Sequence, residues 1–121
     1  MSVTPFSTAV RERSTAAHSS SEGSGFMSEL LKGDGTLDDY IALVAQHYFI
    51  YVALEAAADN MRSEPVASAF ITDALTRLPA CEADLTALLG ANWLEQIAPL
   101  PATQRYVDRI NEIGSDWAGG F

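Results

Sequence analysis

A long apolar segment at residues 36–61 constrains the fold of this chain more than any other feature. Its apolar side chains recur at helical spacing along two lines: Ile41, Ala45, Phe49 and Val52, and Leu43, Ile50, Leu54 and Ala58. A helix that is apolar around most of its circumference is usually enclosed by the rest of the protein. Thr36 followed by Asp38 and Asp39 is typical of a helix start. We therefore expect a buried central helix that runs from Thr36 to about Met61.

In the other segments, too, the apolar residues recur at helical spacing. Proline is tolerated in the first helical turn, where its missing N–H would have no partner, so we expect helix starts at Pro5, Pro79 and Pro101, with Thr4 as the N-cap of the first, which should run from about Phe6. The full set of predicted segments is about 6–18, 26–31, 36–61, a short piece from Pro65, 79–89, 93–97 and a last helix from Pro101. Serines and glycines at 19–25 should loosen the first helix, and Gly33 should end the second.

No alternating strand pattern and no internal repeat occurs, so the predicted fold class is all-α. The last helix should bury one face, because four apolar residues fall at i, i+4, i+7 and i+11. These are Tyr106, Ile110, Ile113 and Trp117.

Composition narrows the function classes. The chain has 121 residues, 48% of them hydrophobic, which suits one compact domain. A net charge of −9 argues against a nucleic-acid or anionic-membrane binder. No run approaches eighteen uninterrupted apolar residues and the first residues lack a secretory pattern, so we expect neither a membrane span nor secretion. Cys81 is the only cysteine, which excludes an internal disulfide and favours a reducing, cytoplasmic location.

The first predicted helix carries a possible ligand set. His18 lies four residues before Glu22 and seven after Arg11. If the helix persists, all three share one face, with Arg11 roughly 10.5 Å from His18 at 1.5 Å per residue. An axial imidazole with a carboxylate beside it and a cation two turns away would suit an iron cofactor that has acid groups at its rim. By spacing alone, a surface histidine on a solvated helix face is the simpler interpretation.

Glu55 is the second candidate, because it lies within an apolar stretch of the long helix. A buried carboxylate must find partners or take a proton, and Tyr51, one turn earlier, and Tyr106 could supply them. The arrangement is either a structural polar network or a water chain that carries protons to a reaction. We interpret His47 as a structural histidine and Cys81 as a small helix residue. No catalytic triad, phosphate loop or zinc-protease motif is present.

Four segments closely resemble the heme oxygenase family, in the family's order and spacing. The resemblance covers the chain from Pro5 to Gly114, and the third and fourth segments are its most specific parts. The segments are Thr15-Ala-Ala-His18-Ser-Ser-Ser-Glu22, Phe26-Met27, Tyr48-Phe-Ile-Tyr-Val-Ala-Leu-Glu55 and Pro101-Ala-Thr-Gln-Arg-Tyr-Val-Asp-Arg-Ile110.

The resemblance implies a role for each matched residue. His18 corresponds to the proximal histidine that ligates heme iron, Glu22 to the acid beside that imidazole, and Arg11 to a cation for a heme propionate. The positions that line the proximal side of the heme are Ser14, Ala17, Met27 and Leu30. The members of the distal hydrogen-bonded water network are Tyr51, Glu55 and Tyr106.

Heme oxygenases use heme as both cofactor and substrate, and they open its ring to biliverdin with release of iron and carbon monoxide. The resemblance therefore implies a soluble, bacterial-type enzyme that uses heme, O2 and electrons from a reductase or ferredoxin. The family's distal helix, with its Gly-Asp-x-x-Gly-Gly-type stretch, has no counterpart here, and Gly119-Gly120 is not that motif. We expect the chain to be the N-terminal part of a longer domain. The alternatives are a heme carrier without turnover and a non-catalytic all-α interaction protein.

Overall fold

The computed structural model describes residues 3–114, so Trp117 and Gly119-Gly120 lie outside the described part. Within it the chain is entirely helical, which confirms the all-α prediction. The α-helices are α1 (Phe6–Glu22), α2 (Gly25–Leu31), α3 (Leu37–Asn60), α4 (Leu78–Leu89) and α5 (Pro101–Gly114). Short 3-10 turns occur at Ala67–Ala69, Asp73–Leu75 and Trp93–Gln96. The chain divides into two compact units, Met1–Tyr40 and Ile41–Phe121, which are described separately.

In the first unit, α1 is longer than predicted. Phe6 is its first residue, as predicted, but the N-cap position is occupied by Pro5 rather than by Thr4. The predicted loosening after His18 is wrong, because the helix continues through the serines to Glu22 and ends at Gly23. Serine lowers helix propensity by only a few tenths of a kcal/mol per residue, so a short serine run does not end an established helix.

The ends of α2 and α3 follow their local sequence. The backbone N–H of Gly33, at φ +80°, donates to Leu30 O, and that of Asp34 donates to Glu29 O. This pair of bonds is a Schellman motif, which terminates α2. At the start of α3, Asp39 N donates to the Thr36 hydroxyl at 3.2 Å and Thr36 N donates to the Asp39 carboxylate at 3.0 Å. These reciprocal bonds form a capping box, which confirms the helix start predicted at Thr36.

In the second unit, α3 packs through two small clusters of buried side chains. The first consists of Val44, Ala45 and Leu85, with Tyr48, Leu89, Trp93 and Ile97 against it. The second consists of Ala53, Ala57 and Ile110, with Ile50, Leu54 and Val107 against it. The clusters confirm that Ile110 lies on the buried face of α5, whereas Tyr106 is exposed. The prediction of a helix buried all round is wrong, since the clusters enclose only four α3 residues.

Gln46 fixes the segment that leads into α5. Its Nε2 donates to Ala98 O at 3.1 Å and its Oε1 accepts from Leu100 N at 2.9 Å. Both polar ends of one amide therefore hold this segment against α3.

By length and mean hydropathy α3 also meets the criterion for a membrane-crossing helix, with a mean hydropathy of 1.4. This differs from the expectation based on uninterrupted apolar runs, because averaging tolerates the polar residues within the helix. The central helix of a water-soluble protein can meet the same criterion.

Candidate functional site

The predicted ligand pair on α1 is present in the first unit. Nε2 of His18 lies 3.6 Å from Oε1 of Glu22, and both side chains are mostly exposed, at 71% and 64%. Because α1 remains helical through the serines, the two residues are neighbours one turn apart. The pair depends on the extra helical turn that the sequence did not predict.

The pair has the arrangement of a histidine whose ring is oriented by a neighbouring carboxylate. A metal-bound histidine usually uses one ring nitrogen for the metal while its second nitrogen contacts a carboxylate or carbonyl that orients the ring. In His18 one nitrogen faces Glu22, and the other has no hydrogen-bond partner among residues 3–114. The imidazole is thus oriented, exposed and available on one side.

The remaining proximal candidates lie on α1 and α2. Arg11 is exposed, and its guanidinium forms no ion pair within the described part of the chain. The Ser14 hydroxyl donates to Arg11 O at 3.3 Å, so its polar group is satisfied within the helix. Ala17 is exposed as well, whereas Met27 and Leu30 on α2 are half-buried. One face of α1 therefore offers an imidazole, small side chains and a cation.

The distal candidates lie in the second unit, and Glu55 differs from its prediction. Its Oε1 accepts hydrogen bonds from the backbone N–H of Arg77 at 2.6 Å and of Leu78 at 3.2 Å. Arg77 is the N-cap residue of α4 and Leu78 is its first residue, and the Arg77 side chain gives no capping bond of its own. The expectation that Tyr51 would be the partner of Glu55 is wrong, because α4 supplies donors that are already aligned by its helix geometry.

Tyr51 lies on α3, and its ring instead contacts His47, with ring centroids 6.1 Å apart. His47 is exposed and forms no hydrogen bond among residues 3–114, so its interpretation as a structural histidine is wrong. Tyr106 on α5 is exposed, with no hydrogen bond of its hydroxyl among the described residues. Both tyrosine hydroxyls therefore remain available to water or ligand.

A cavity of about 390 Å³ opens beside α3, and we call it the α3 cavity. Its polar lining includes Tyr51, Glu55 and Arg62. Its apolar walls are Leu54, Ala58, Phe70, Ile71 and Leu75. Glu55 is therefore both a cap for α4 and part of a cavity wall.

Arg62 closes the end of this cavity through two ion pairs. Its Nε lies 2.7 Å from Asp59 and its Nη2 lies 3.0 Å from Asp73. The hydrogen bonds that the guanidinium donates to Asp59 and then to Asp73 raise its pKa, and loss of hydration opposes this effect. Through Arg62, the two ion pairs connect the 3-10 turn Asp73–Leu75 to the last turn of α3.

Cys81 is half-buried on α4, as expected for a small helix residue. Burial raises the pKa of its thiol, and the nearby carboxylates of Asp84, Glu55 and Glu82 raise it further. A thiol with a raised pKa is a weak nucleophile near neutral pH.

Sequence reasoning missed the cap of Glu55 on α4 and the Gln46 contacts. Each joins residues more than twenty positions apart, and no local pattern encodes such pairs. The only available signal was the isolation of Glu55 in an apolar stretch, which predicts a partner but does not identify it.

Known proteins match this chain over almost its whole length. A family profile described as heme oxygenase matches residues 4–120. Human heme oxygenase 1 is 38% identical over 109 residues, which cover 89% of this chain and 38% of that protein. Heme oxygenase 1 of Nostoc sp. PCC 7120 is 38% identical over 99 residues, with 82% of this chain and 42% of that protein covered.

Two solved structures share the fold. Heme oxygenase-1 from Synechocystis sp. PCC 6803 in complex with heme superimposes with a TM-score of 0.85 at 30% identity, covering 93% of this chain and 51% of that one. Heme oxygenase-2 from the same organism, in complex with heme and NO, gives 0.87 at 31% identity, with 96% and 48% covered. The chain spans about half the length of these solved relatives and about two fifths of the curated ones.

Proposed function

Because the chain belongs to the heme oxygenase family, we propose that it takes part in the oxidative opening of heme to biliverdin, with release of iron and carbon monoxide. In this proposal, His18 is the iron ligand. The observation that carries it is the His18–Glu22 pair, which combines an exposed imidazole with an orienting carboxylate one turn away. Heme is the substrate as well as the cofactor.

Glu22 has the role of holding the imidazole ring of His18 in one orientation. The Glu22 carboxylate lies 3.6 Å from the ring and can accept a hydrogen bond from a ring N–H after a small side-chain adjustment. The other ring nitrogen then has its lone pair free to bind iron. Ser14 lies one turn before His18 and Ala17 directly precedes it. Their short side chains leave room for a flat macrocycle to lie along α1.

Arg11 has the role of binding a heme propionate. It stands two turns before His18 on the same face, and its guanidinium is exposed. Arginine suits this function because its planar fork can bind a carboxylate through two parallel N–H···O bonds. Met27 and Leu30, half-buried on α2, provide apolar contacts for the proximal side of the ring.

When bound, heme supplies the oxygen chemistry, with O2 and electrons from a reductase or ferredoxin. Tyr51, Glu55 and Tyr106 would hold the water molecules that deliver protons. For Glu55 this role falls on Oε2, since Oε1 accepts both bonds from α4. Cys81, as a single reduced thiol, is compatible with the cytoplasmic location that we propose for the protein.

A heme carrier without turnover is the second candidate. It is favoured by the His18–Glu22 pair, whose exposed imidazole can bind heme whether or not the ring is later opened. A carrier needs only the proximal set on α1 and α2. Ring opening also needs groups that organise O2.

A single-turnover assay distinguishes the two candidates. Hemin is loaded onto the 121-residue chain, ascorbate is added in air, and the visible spectrum and carbon monoxide are followed. For the oxygenase, we expect the heme band to disappear while biliverdin and carbon monoxide form. A stable heme band after ascorbate would support the carrier. A chain that forms no hemin complex would contradict both candidates.

A further inference from the structure

We propose, on the basis of the function proposed above, that His47 takes up protons from solvent and supplies them to the distal network of Tyr51 and Glu55. All three residues belong to α3. His47 is then a proton-relay residue that acts through Tyr51, and the iron ligand remains His18.

Three side chains that can carry protons recur at one-turn intervals along α3. His47, Tyr51 and Glu55 stand at positions i, i+4 and i+8, and residues four apart are neighbours on the surface of a helix. The three positions span roughly 12 Å at 1.5 Å per residue. Neighbours roughly 5–6 Å apart can exchange a proton through one bridging water molecule.

The step from His47 to Tyr51 rests on a contact between their rings. The ring centroids lie 6.1 Å apart and the ring planes are tilted by 53°. Among residues 3–114, no hydrogen bond or ion pair joins the imidazole to a charged group of α3 or of any other helix. The Tyr51 hydroxyl has no hydrogen-bond partner there either. Both polar groups are therefore free to bind the same water molecule.

The exposure and chemistry of His47 suit the first position of a relay. Its side chain is exposed, whereas Tyr51 and Glu55 are half-buried. Histidine is the side chain that changes charge near neutral pH, so it can take a proton from water and release it again under the same conditions. A tyrosine hydroxyl both donates and accepts hydrogen bonds, so it can pass a proton on.

The α3 cavity has room for the water that the later steps need. Tyr51 and Glu55 both line it, and its volume of about 390 Å³ accommodates several water molecules. Three polar groups of its lining have no partner among residues 3–114 and can bind this water: the Tyr51 hydroxyl, Oε2 of Glu55 and the Thr76 hydroxyl. The backbone N–H groups of Arg77 and Leu78 hold Oε1 of Glu55, which fixes its carboxylate in place.

Each transfer along this path conserves protons and charge. The His47 imidazolium donates a proton to the bridging water, and that water gives one of its own protons to the Tyr51 oxygen. Tyr51 releases its hydroxyl proton to the cavity water beside Oε2 of Glu55. The neutral imidazole then takes a new proton from bulk water. Protons therefore move from solvent to the distal network with no other reactant.

The first test uses the hemin-free 121-residue chain and follows its histidine and tyrosine ring signals by NMR as the pH is varied. In the wild type, we expect the Tyr51 signals to shift with the same midpoint as those of His47, because the rings are in contact. His47→Gln should remove this transition from Tyr51. The matched control, Ala42→Gln at an exposed position on another side of α3, should retain it. Tyr51 signals that do not respond to protonation of His47 would overturn the proposal.

The second test measures single-turnover ring opening with hemin, ascorbate and air at several pH values. Loss of the relay should slow ring opening most where the imidazole is charged. We expect the wild type to be about threefold or more faster than His47→Gln near about pH 6, and the two rates to converge by about pH 8. Ala42→Gln should match the wild type throughout. Because His47 and Ala42 are exposed, both variants should fold, and circular dichroism verifies this.

Four results of the second test would overturn the relay. The wild type and His47→Gln could have equal rates at every pH, or His47→Gln could be slower by the same factor at every pH, which would indicate a structural role. His47→Gln could also change the visible spectrum of the hemin complex, which would indicate that His47 ligates iron. A wild type that opens no heme would contradict the proposed function and the relay together, whereas the other three results contradict the relay alone.

Discussion

Oε1 of Glu55 lies 2.6 Å from the backbone nitrogen of Arg77, so a side chain on α3 caps the first turn of α4. The N-cap residue of α4 offers no side-chain acceptor of its own. The first N–H groups of a helix need acceptors from outside it. In α4, the Glu55 carboxylate accepts from two of these groups, those of Arg77 and Leu78. The bond links the centre of α3 to the cavity wall and to α4.

Removal of this cap should destabilise the protein. Glu55→Ala leaves the N–H groups of Arg77 and Leu78 without their acceptor, and we expect a loss of about 1 kcal/mol in the free energy of unfolding. Glu55→Gln should lose less, because an amide oxygen can still accept both bonds. Urea denaturation measures the difference. The control is Glu12→Ala on the exposed face of α1, and an equal loss in the control would contradict the capping role.

Much of the helical framework could be predicted from local sequence, whereas the long-range contacts could not. Pro79 and Pro101 mark the starts of α4 and α5 to within a residue, because proline acts on the backbone beside it. The isolation of Glu55 correctly indicated that it needs partners. Their identity depends on how α4 packs against α3, which no local pattern specifies. The same limitation applies to the burial of α3.

The start of α3 provides a second test. The Thr36 hydroxyl accepts from Asp39 N at 3.2 Å, and the Asp39 carboxylate accepts from Thr36 N in return. Thr36→Ala removes one half of this capping box and should cost about 1 kcal/mol of unfolding free energy. Thr72→Ala is the comparison, because Thr72 caps only the three-residue turn Asp73–Leu75. Urea denaturation should show a clearly smaller loss for Thr72→Ala, and the reverse order would count against the capping box.

The contact between α5 and α3 is close enough to require glycine. A Cβ at Gly114 would lie 2.9 Å from Cβ of Ala57, inside ordinary van der Waals distance. Gly114→Ala should therefore destabilise the protein by about 1–3 kcal/mol, as expected for overpacking. Gly25→Ala, at the first residue of α2, meets nothing within 4 Å and should be neutral or slightly stabilising. Equal thermal midpoints for the two variants would contradict this packing.

The Cys81 thiol should react slowly. Burial, followed by Asp84, Glu55 and Glu82, raises its pKa above the ordinary value. A raised pKa lowers the thiolate fraction at any pH below it, and the thiolate is the reactive form. Alkylation by iodoacetamide at pH 8 should therefore be slower than for free cysteine, and its rate should continue to rise above pH 9. A rate equal to that of the unfolded chain in urea would contradict this environment.

The most direct test of His18 as the heme ligand compares the two histidines of the chain. Hemin is titrated into the wild type, His18→Ala and His47→Ala, and visible absorbance is recorded. His47 is also exposed and lies on α3, so it controls for nonspecific imidazole binding. We predict stoichiometric binding with the same imidazole-ligated spectrum for the wild type and His47→Ala, and loss of that spectrum in His18→Ala with recovery on added imidazole. An unchanged spectrum in His18→Ala would contradict the account.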